Sequence, residues 1–313
     1  MSKIYQFFNT QKSSPLEKWN LDIFNTQNIN FCIKRDDLLH QEVSGNKWRK
    51  LKYNLLEAEK LGFNSILTFG GAFSNHIAAV AAAGSLFNFK TIGLIRGEQQ
   101  NKLNPTLQFA SNNGMSLHYL SRSEYKKRND LDFVNTFKKT FGKFYYLPEG
   151  GTNPLAIKGC EEIISEIEKQ LNYAPDYICV PCGTGGTMAG LISKANPKTT
   201  ILGFSALKGD FLKKEIDSLL DSTSESHFNN WTLNSDYHFG GYAKWNQELI
   251  DFINQTKPQI TLDPIYTGKM LFGIFDLIKK GFFEQGSSIV MLHTGGLQGI
   301  KGFNYRFGEL ISS

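Results

Sequence analysis

The stretch YICVPCGTGGTMAGL, residues 177–191, is the part of the sequence from which the fold can be inferred. Its first part, 177–181, has almost no polar interruption, which is typical of a strand buried on both faces of a parallel sheet. Glycines and threonines follow at once, and a helical segment begins after them. Glycines let successive backbone N–H groups converge, and a helix start adds partial positive charge, so this order suits a phosphate. The proposed phosphate-binding residues are Gly183, Thr184, Gly185, Gly186 and Thr187.

The glycine-rich turn is also compatible with two roles besides phosphate binding. A tight connection from strand to helix needs glycine for steric reasons alone. Dinucleotide binding is the second, although the segment is GTGGTMAG rather than GxGxxG and no acidic residue ends the next strand, 201–205. The Lys-Ser/Thr ending of a nucleoside-triphosphate loop is absent. A nicotinamide-dependent oxidoreductase is therefore kept as an alternative function.

Strand-like and helix-like segments alternate on either side of this stretch. Before it, strands are expected at 65–69, 91–95, 116–120 and 144–147, and helices at 75–87, 105–112 and 156–171. After it, we expect a strand at 201–205, a helix at 268–280 and a strand at 288–292. Residues 221–236 are polar and turn-rich, which predicts a surface loop. Strands separated by helices of this length indicate parallel sheets covered by helices.

We therefore predict an α/β fold with two three-layer lobes, each a parallel sheet between helices, and a ligand site in the cleft between them. A length of 313 residues suits two domains. The larger lobe is expected to comprise residues 1–50 and 154–313, and the smaller one residues 51–153.

Composition and charge exclude several classes of function. With 41% hydrophobic and 20% charged residues, the chain has the composition of a soluble globular protein. Its net charge of +5 is spread over short stretches without a basic stripe interleaved with aromatic residues, so nucleic-acid binding is not expected. No apolar run is long enough to cross a membrane, and the first residues lack the apolar core of a signal peptide. We expect a cytoplasmic protein that does not bind membranes.

The four cysteines are too few for a disulfide framework. Cys179 and Cys182 form a CxxC pair, but a zinc site would need two further ligands at similar spacing, so no metal is expected. A redox function of the pair remains a minor alternative, because Cys182 lies where a helix follows a strand.

Two further segments carry side chains suited to chemistry. Lys47 lies in SGNKWRK, residues 44–50, at the start of a helix expected at 48–60. Burial would lower its pKa and make it nucleophilic toward an aldehyde, whereas a lysine exposed at a helix start would be inert. In GGAFSNH, residues 70–76, Ser74 or Asn75 is expected to cap the next helix. The same helix N-terminus could instead hold a carboxylate.

Six segments in this order resemble the pyridoxal-phosphate enzymes of fold type II, which have a tryptophan synthase β-like fold. They are KRDDL at 34–38, SGNKWRKL at 44–51, GGAFSNH at 70–76, CGTGGTMAGL at 182–191, LDPIYTGKM at 262–270 and HTGG at 293–296. The most similar branch contains D-cysteine desulfhydrase and 1-aminocyclopropane-1-carboxylate deaminase. The resemblance extends from about residue 34 to 299 and implies pyridoxal 5′-phosphate as the cofactor.

The resemblance also implies a role for each matching residue. Lys47 matches the lysine that carries the cofactor, and Lys50 a lysine that contacts its phosphate. Asn75 matches the amide that hydrogen-bonds the cofactor's 3-oxygen, and Ser74 a hydroxyl that binds substrate. The glycine-rich turn at 183–187 matches the phosphate site. The two active-site tyrosines correspond to Tyr242, in GGYAKW, and Tyr266.

Three positions indicate the desulfhydrase side of this branch. Thr267 lies where the deaminase has glutamate near the pyridine nitrogen, Thr294 where it has leucine, and His76 where it has glutamine. A neutral hydroxyl supports the cofactor less as an electron sink than a carboxylate does, which elimination of sulfide tolerates better than ring opening does. Two departures from the family, Phe73 for glutamine and Ala78 for arginine, are expected beside the substrate's carboxylate.

The function predicted from this resemblance is α,β-elimination of D-cysteine to pyruvate, sulfide and ammonia. Deamination of 1-aminocyclopropane-1-carboxylate is the alternative, and a non-catalytic protein that binds pyridoxal phosphate is a more remote one. A small amino acid is the expected substrate, and a homodimer is expected by analogy with the family.

Overall fold

The computed structural model describes residues 2–10, 12–222 and 228–312. Its strands are β1 (Leu16–Trp19), β2 (Asn30–Lys34), β3 (Ser65–Gly71), β4 (Lys90–Arg96), β5 (Ser116–Leu120), β6 (Tyr145–Leu147), β7 (Tyr177–Cys182), β8 (Thr200–Ser205), β9 (Trp231–Asn234) and β10 (Ser288–Leu292). Its α-helices are α1 (Lys3–Thr10), α2 (Asp22–Asn25), α3 (Asn46–Lys60), α4 (Asn75–Phe87), α5 (Pro105–Asn112), α6 (Arg122–Tyr125), α7 (Leu131–Thr136), α8 (Lys138–Phe141), α9 (Pro154–Leu171), α10 (Gly186–Lys194), α11 (Phe211–Asp221), α12 (Gln247–Thr256), α13 (Thr267–Lys279) and α14 (Gly299–Phe307).

The strands form two sheets, as expected. A six-stranded sheet has the order β1-β2-β10-β7-β8-β9 and is parallel except for β1, which runs antiparallel to β2 at the edge. A four-stranded sheet has the order β5-β4-β3-β6 and is parallel throughout. Strand β7 lies between β10 and β8, with Ile178 opposite both Val290 and Ile201. All but its first residue are buried, which agrees with its continuous apolar sequence.

Helix α3 lies between the two lobes. Its apolar residues Trp48, Leu51 and Leu55 belong to the core that covers the four-stranded sheet. On another face, α3 packs closely on α9, and a Cβ on Gly159 would lie 2.0 Å from the backbone oxygen of Arg49. A side chain at residue 159 would therefore force the two helices apart. The division into lobes at residues 50/51 and 153/154 stays a prediction.

One region differs from the expectation. The loop predicted at 221–236 contains the short strand β9, which pairs with β8 at the sheet edge, and residues 223–227 lie outside the described part. A four-residue edge strand has too few residues for its alternation to be recognised. The basic segment after β5 forms three short helices, the first two capped by Ser121 and Asp130. No helix in the described residues is long and apolar enough to cross a membrane.

Candidate active site

The proposed site residues meet at the carboxyl ends of the two parallel sheets. The turn after β3 carries Ser74 and Asn75, the turn after β7 carries the glycines, and the turn after β10 carries Thr294. The starts of α3 and α13 add Lys47 and Tyr266. Ligands bind at this edge of open α/β sheets, which fits the cleft that was predicted.

Lys47 is half-buried, and its Nζ donates a hydrogen bond of 3.4 Å to the backbone oxygen of Gly150. Among the described residues no carboxylate forms an ion pair with it. Burial and the positive charge of Lys50 hold the pKa of Lys47 well below its usual value. Loss of hydration disfavours the charged amine, so Lys47 is prepared to react as a nucleophile.

The backbone before Lys47 is held close to the end of β10. Gly45 has a φ of 63°, and a Cβ there would lie 1.8 Å from the oxygen of Thr294. The N–H of Asn46 donates to this same oxygen over 3.1 Å. Only glycine fits at residue 45, and this close contact fixes the start of α3 beside Thr294.

Lys50 is one turn further along α3 and is buried at the glycine-rich turn. Its Nζ donates to the backbone oxygen of Gly150 over 3.2 Å, to Thr152 Oγ1 over 3.0 Å and to Thr184 Oγ1 over 3.4 Å. Burial lowers the pKa of Lys50 as well. The described residues give this ammonium only neutral oxygen acceptors, so its positive charge remains available to an anion.

The turn after β7 has the geometry of an anion site. Gly185 has a φ of 76° and precedes the first residue of α10, so the N-terminus of that helix opens onto the turn. A Cβ on Gly186 would lie 2.7 Å from Thr152 Cγ2 and 3.0 Å from Lys50 Nζ. Thr187 Oγ1 accepts a hydrogen bond of 3.0 Å from Asn46. Because residue 186 has no side chain, space for a phosphate remains next to the ammonium of Lys50.

Ser74 caps helix α4, which was the default expectation. Its Oγ accepts hydrogen bonds from the N–H groups of His76 (3.2 Å) and Ile77 (3.3 Å). Asn75 Oδ1 is buried without a hydrogen-bond partner among the described residues. A Cβ on Gly296 would lie 2.9 Å from Asn75 Nδ2. The carboxamide therefore sits beside the turn after β10 with hydrogen-bonding capacity to spare.

The two tyrosines lie together across the glycine-rich turn. Their ring centroids are 6.2 Å apart, and a Cβ on Gly183 would lie 3.1 Å from the hydroxyl of Tyr266. Burial raises the pKa of both phenols, and the carboxylate of Asp263 adds to this effect. Both are therefore protonated near neutral pH. Tyr242 is 41% exposed, so it lies at the open side of the site.

The two threonines have different surroundings. Thr267 is fully buried; its hydroxyl donates to Asp263 Oδ2 over 2.6 Å and accepts from the N–H of Asp263 over 2.9 Å. The hydroxyl of Thr294 has no hydrogen bond within the described part of the chain, although the residue is only 6% exposed. Thr294 is therefore free to contact a ligand, whereas the proton of Thr267 is already committed to Asp263.

Asp263 was not identified from the sequence. Its Oδ1 accepts from the N–H groups of Ile265 (2.9 Å) and Tyr266 (2.8 Å), and its Oδ2 from the N–H of Thr267 (2.9 Å). With the Thr267 hydroxyl added, all four lone-pair positions of the carboxylate are occupied. Asp263 thus caps α13 and fixes Tyr266. The sequence contained one signal for this role. Asp263 lies four residues before Thr267, the first residue of α13, and aspartate often binds backbone N–H groups close to a helix start.

His76 and Ala78 are buried, whereas Phe73 is partly exposed, and that Phe73 and Ala78 lie beside the substrate's carboxylate stays a prediction. His76 Nε2 lies 2.8 Å from Thr68 Oγ1, and burial together with the charges of Lys47 and Lys50 holds its pKa well below the usual value. The imidazole is therefore neutral. Phe73 faces α14, since a Cβ on Gly302 would lie 2.9 Å from its ring, and Ala78 is buried.

The charged segment KRDD at 34–37 takes part in a buried ionic cluster. Lys34, Asp36 and Asp37 are buried. Asp36 binds Arg49 of α3 through both of its oxygens (2.9 and 3.0 Å), and Arg49 also pairs with Glu166 of α9. Lys34 Nζ donates to Glu166 over 2.7 Å. This ionic cluster holds α3, which carries both Lys47 and Lys50, against α9.

The CxxC pair has no features of a redox centre. Cys179 and Cys182 are free thiols and are almost completely buried. Burial raises the pKa of Cys182 to about 12 and that of Cys179 further. The thiolate is the reactive form, so these thiols are inert. The described residues contain no group of three or more His, Cys, Asp or Glu that could bind a metal.

These residues fit pyridoxal phosphate. The glycine cradle with Lys50 suits the phosphate, Lys47 with its lowered pKa suits the aldehyde, and the unsatisfied carboxamide of Asn75 suits the ring hydroxyl. Two parallel α/β lobes with such a site define the class of fold-type II pyridoxal-phosphate enzymes.

The chain belongs to the family described as "Pyridoxal-phosphate dependent enzyme", whose model matches residues 12–295. It is 31% identical to the bifunctional D-cysteine desulfhydrase/1-aminocyclopropane-1-carboxylate deaminase, mitochondrial, of Arabidopsis thaliana, over 92% of this chain and 77% of that protein. It is also 31% identical to a putative 1-aminocyclopropane-1-carboxylate deaminase of Pyrococcus horikoshii, over 90% of this chain and 87% of the relative. A crystal structure of an ACC deaminase homologue superposes with a TM-score of 0.82 at 26% identity, covering 99% of this chain and 100% of the other.

The glycine-rich turn alone was compatible with either a phosphate or a dinucleotide, and membership of this family shows that the cofactor is pyridoxal phosphate. The protein is a pyridoxal-phosphate-dependent enzyme, and both the fold and the cofactor expected from the six segments are confirmed. The relatives' names include both deaminase and desulfhydrase, so they do not distinguish the two substrates.

Proposed function

We propose that this enzyme catalyses α,β-elimination of D-cysteine, with water consumed and pyruvate, hydrogen sulfide and ammonia released. The observation that supports this choice is the state of Asp263, the carboxylate that binds Thr267. Asp263 already accepts four hydrogen bonds from the protein, so it offers no free lone pair to the cofactor's ring nitrogen. The hydroxyl that remains free is that of Thr294.

A hydroxyl in place of a carboxylate leaves the ring nitrogen less protonated. Pyridoxal phosphate, when bound, serves as the sink for the electrons of the substrate's α-carbon. A weaker sink suits a substrate whose β-substituent leaves readily, and sulfide is such a group. Opening a cyclopropane ring lacks this advantage, so deamination of 1-aminocyclopropane-1-carboxylate is the second candidate.

Lys47 is the proposed base of the reaction. Its lowered pKa favours the neutral amine, the form that can remove the substrate's α-proton, and the start of α3 is fixed by the contact of Gly45 with Thr294. Lys50, the turn at 183–187 and the N-terminus of α10 are proposed to hold the phosphate. Asn75 would orient the ring through its carboxamide.

The tyrosines are proposed to handle protons at the leaving sulfur. Tyr266 is positioned by Asp263, and Tyr242 lies next to it at the open side of the site. Because burial keeps both phenols protonated, either can donate a proton to the departing sulfide. The Ser74 hydroxyl, whose oxygen caps α4, still has its own proton to donate to the substrate.

The test is product release by the purified enzyme loaded with pyridoxal phosphate. D-Cysteine, L-cysteine and 1-aminocyclopropane-1-carboxylate are supplied in parallel, and sulfide, keto acid and ammonia are measured. We expect sulfide and pyruvate from D-cysteine alone. Keto acid and ammonia from the cyclopropane substrate would contradict the proposal and favour the second candidate. Cofactor binding without any product would favour a non-catalytic protein or a different amino acid.

A homodimer stays a prediction from the family resemblance, and a cytoplasmic location stays a prediction from the sequence. Sedimentation of the purified protein would test the dimer, because a monomer and a dimer of a 35.3 kDa chain separate clearly.

A further inference from the structure

The loop that carries Tyr242 has an unusual backbone. Phe239 and Ala243 both have a φ of 53°, and between them Gly240 has a φ of 93° and Gly241 a φ of 120°. Non-glycine residues rarely adopt positive φ, and such conformations persist only when the surrounding structure enforces them. Something must therefore hold residues 238–243 in place.

Lys269 provides the hold on this loop. It lies in the first turn of α13, is only 2% exposed, and its Nζ donates 2.8 Å hydrogen bonds to the backbone oxygens of His238 and Gly241. These two bonds hold the first part of the strained segment, on either side of Phe239 and Gly240. Phe239 adds an apolar anchor through its edge-on contact with Phe272 of the same helix, at 5.1 Å between ring centroids.

The burial of Lys269 is not accounted for by an ion pair. No carboxylate among the described residues forms one with it, and Asp263 is the charged group whose field acts on it. Burial lowers its pKa to about 8. A buried lysine bound only to carbonyl oxygens is costly to retain, whereas an apolar side chain would fill the same volume at lower cost.

We propose that Lys269 is a positioning residue that sets the place of Tyr242 in the active site by binding the backbone of residues 238–241. The inference rests on the catalytic role proposed above for Tyr242. In this proposal, residues at the start of α13 position both tyrosines. Asp263 at the cap of α13 fixes Tyr266, and Lys269 two residues into the helix fixes Tyr242.

The first test is hydrogen–deuterium exchange of the purified, cofactor-loaded enzyme and its Lys269→Met variant. The N–H groups of Gly241 and Lys244 donate to the same two carbonyl oxygens that Lys269 binds, so their exchange reports on the loop directly. Loss of two charge-assisted hydrogen bonds should accelerate this exchange at least about tenfold. Unchanged exchange in a folded variant would overturn the proposal, and this readout does not require turnover.

The matched control is Lys280→Met. Lys280 directly follows the same helix, is exposed and pairs with Asp276, and its Nζ lies 6.0 Å from the ring centroid of Tyr237. Its replacement therefore removes one charge near α13 without removing a hydrogen bond to residues 238–243. We expect no change in exchange at residues 240–244. If Lys269→Met fails to fold, Lys269→Gln retains two N–H donors without the charge, and it should accelerate exchange by a smaller factor.

The second test separates positioning from a general structural role. Lys269→Met is measured alone and together with Tyr242→Phe. If Lys269 acts through Tyr242, Lys269→Met alone should lower kcat at least about tenfold. In a protein that already carries Tyr242→Phe, Lys269→Met should lower kcat by less than about twofold. Equal losses in both backgrounds would show that Lys269 acts elsewhere. If no substrate is turned over at all, the proposed function has failed, while the exchange experiment still decides the role of Lys269.

Discussion

The basic side chains on two faces of helix α3 have opposite surroundings. Toward α9, the guanidinium of Arg49 is buried and bound by two carboxylates, those of Asp36 and Glu166. Toward the cleft, Lys47 and Lys50 are bound only by neutral oxygens, and burial lowers the pKa of both amines. Arg49 nevertheless lies within two positions of both lysines in the sequence.

The difference shows which charges serve the structure and which serve chemistry. A buried cation that is fully paired fixes one packing arrangement, and removing it leaves its partners exposed to a medium of low dielectric constant. A buried cation without a counterion is costly, and such groups are found where a ligand supplies the missing charge or where a neutral amine must react. Helix α3 thus anchors itself with one face and presents the site with the other.

The largest effect is expected from Lys47→Ala. Turnover should fall by at least about 10³-fold because the proposed base and cofactor-binding amine is lost. Stability should not decrease much, because no ion pair is broken. Absorbance of the protein after reduction with borohydride would show whether the cofactor is still attached covalently. A variant that retains a covalent link to the aldehyde would refute the assignment of Lys47.

Arg49→Met tests the anchored face. We expect the free energy of unfolding to fall by about 3–5 kcal/mol, because Asp36 would be left buried without its guanidinium partner and Glu166 would keep only Lys34. Urea titration followed by circular dichroism measures this. Arg49→Lys, which keeps the charge but not the bidentate geometry, should lose less. If Arg49→Met is as stable as the original chain, the ionic cluster does not hold α3 in place.

Lys50→Met tests the open face without removing the reactive amine. Affinity for pyridoxal phosphate should fall by about 1.5–3 kcal/mol, the range for a hydrogen bond to a charged group. The cofactor-free protein should be no less stable, because a desolvated ammonium is removed. Fluorescence titration with the cofactor gives the affinity. A loss of stability without a loss of affinity would place Lys50 with Arg49 as a structural cation.

The pH dependence of stability should also distinguish the faces. Because the pKa of Lys50 is lowered on folding, the unfolded chain binds more protons than the folded one between that lowered value and 10.5. The contribution of Lys50 to stability therefore increases as pH rises through this window. Subtracting the urea-derived profile of Lys50→Met from that of the original protein should isolate this rise. A flat difference would mean that Lys50 is not desolvated.

The sequence predicted the elements whose signals are local. Helix α4 and strand β5 have the expected bounds, since Ser74 marks the start of an apolar run and short strands alternate with helices around it. The glycine-rich turn could be recognised because backbone approach to an anion requires glycine. This turn comprises Gly183 to Thr187, and its proposed function follows from the types of residue that it contains.

The parts that were missed depend on distant partners. Lys34 and Glu166 are 132 residues apart, so no local pattern in the sequence shows that they form a pair. The commitment of Thr267 to Asp263 depends on the direction of one hydrogen bond, which residue types alone do not reveal. Lys269 binds backbone oxygens, and these have no signature in the sequence.

The smallest effect is expected at Lys52, a third kind of cation on α3. Its Nζ pairs with Glu162 over 2.6 Å, and both side chains are partly exposed. Lys52→Gln should cost no more than about 1 kcal/mol, because water screens the pair and Tyr53 still donates a hydrogen bond to the same oxygen of Glu162. The difference should shrink further at high salt, whereas the effect of Arg49→Met should persist. Equal salt sensitivity of the two variants would mean that burial does not separate these ion pairs, and the contrast between the faces of α3 would then have to rest on the cleft lysines alone.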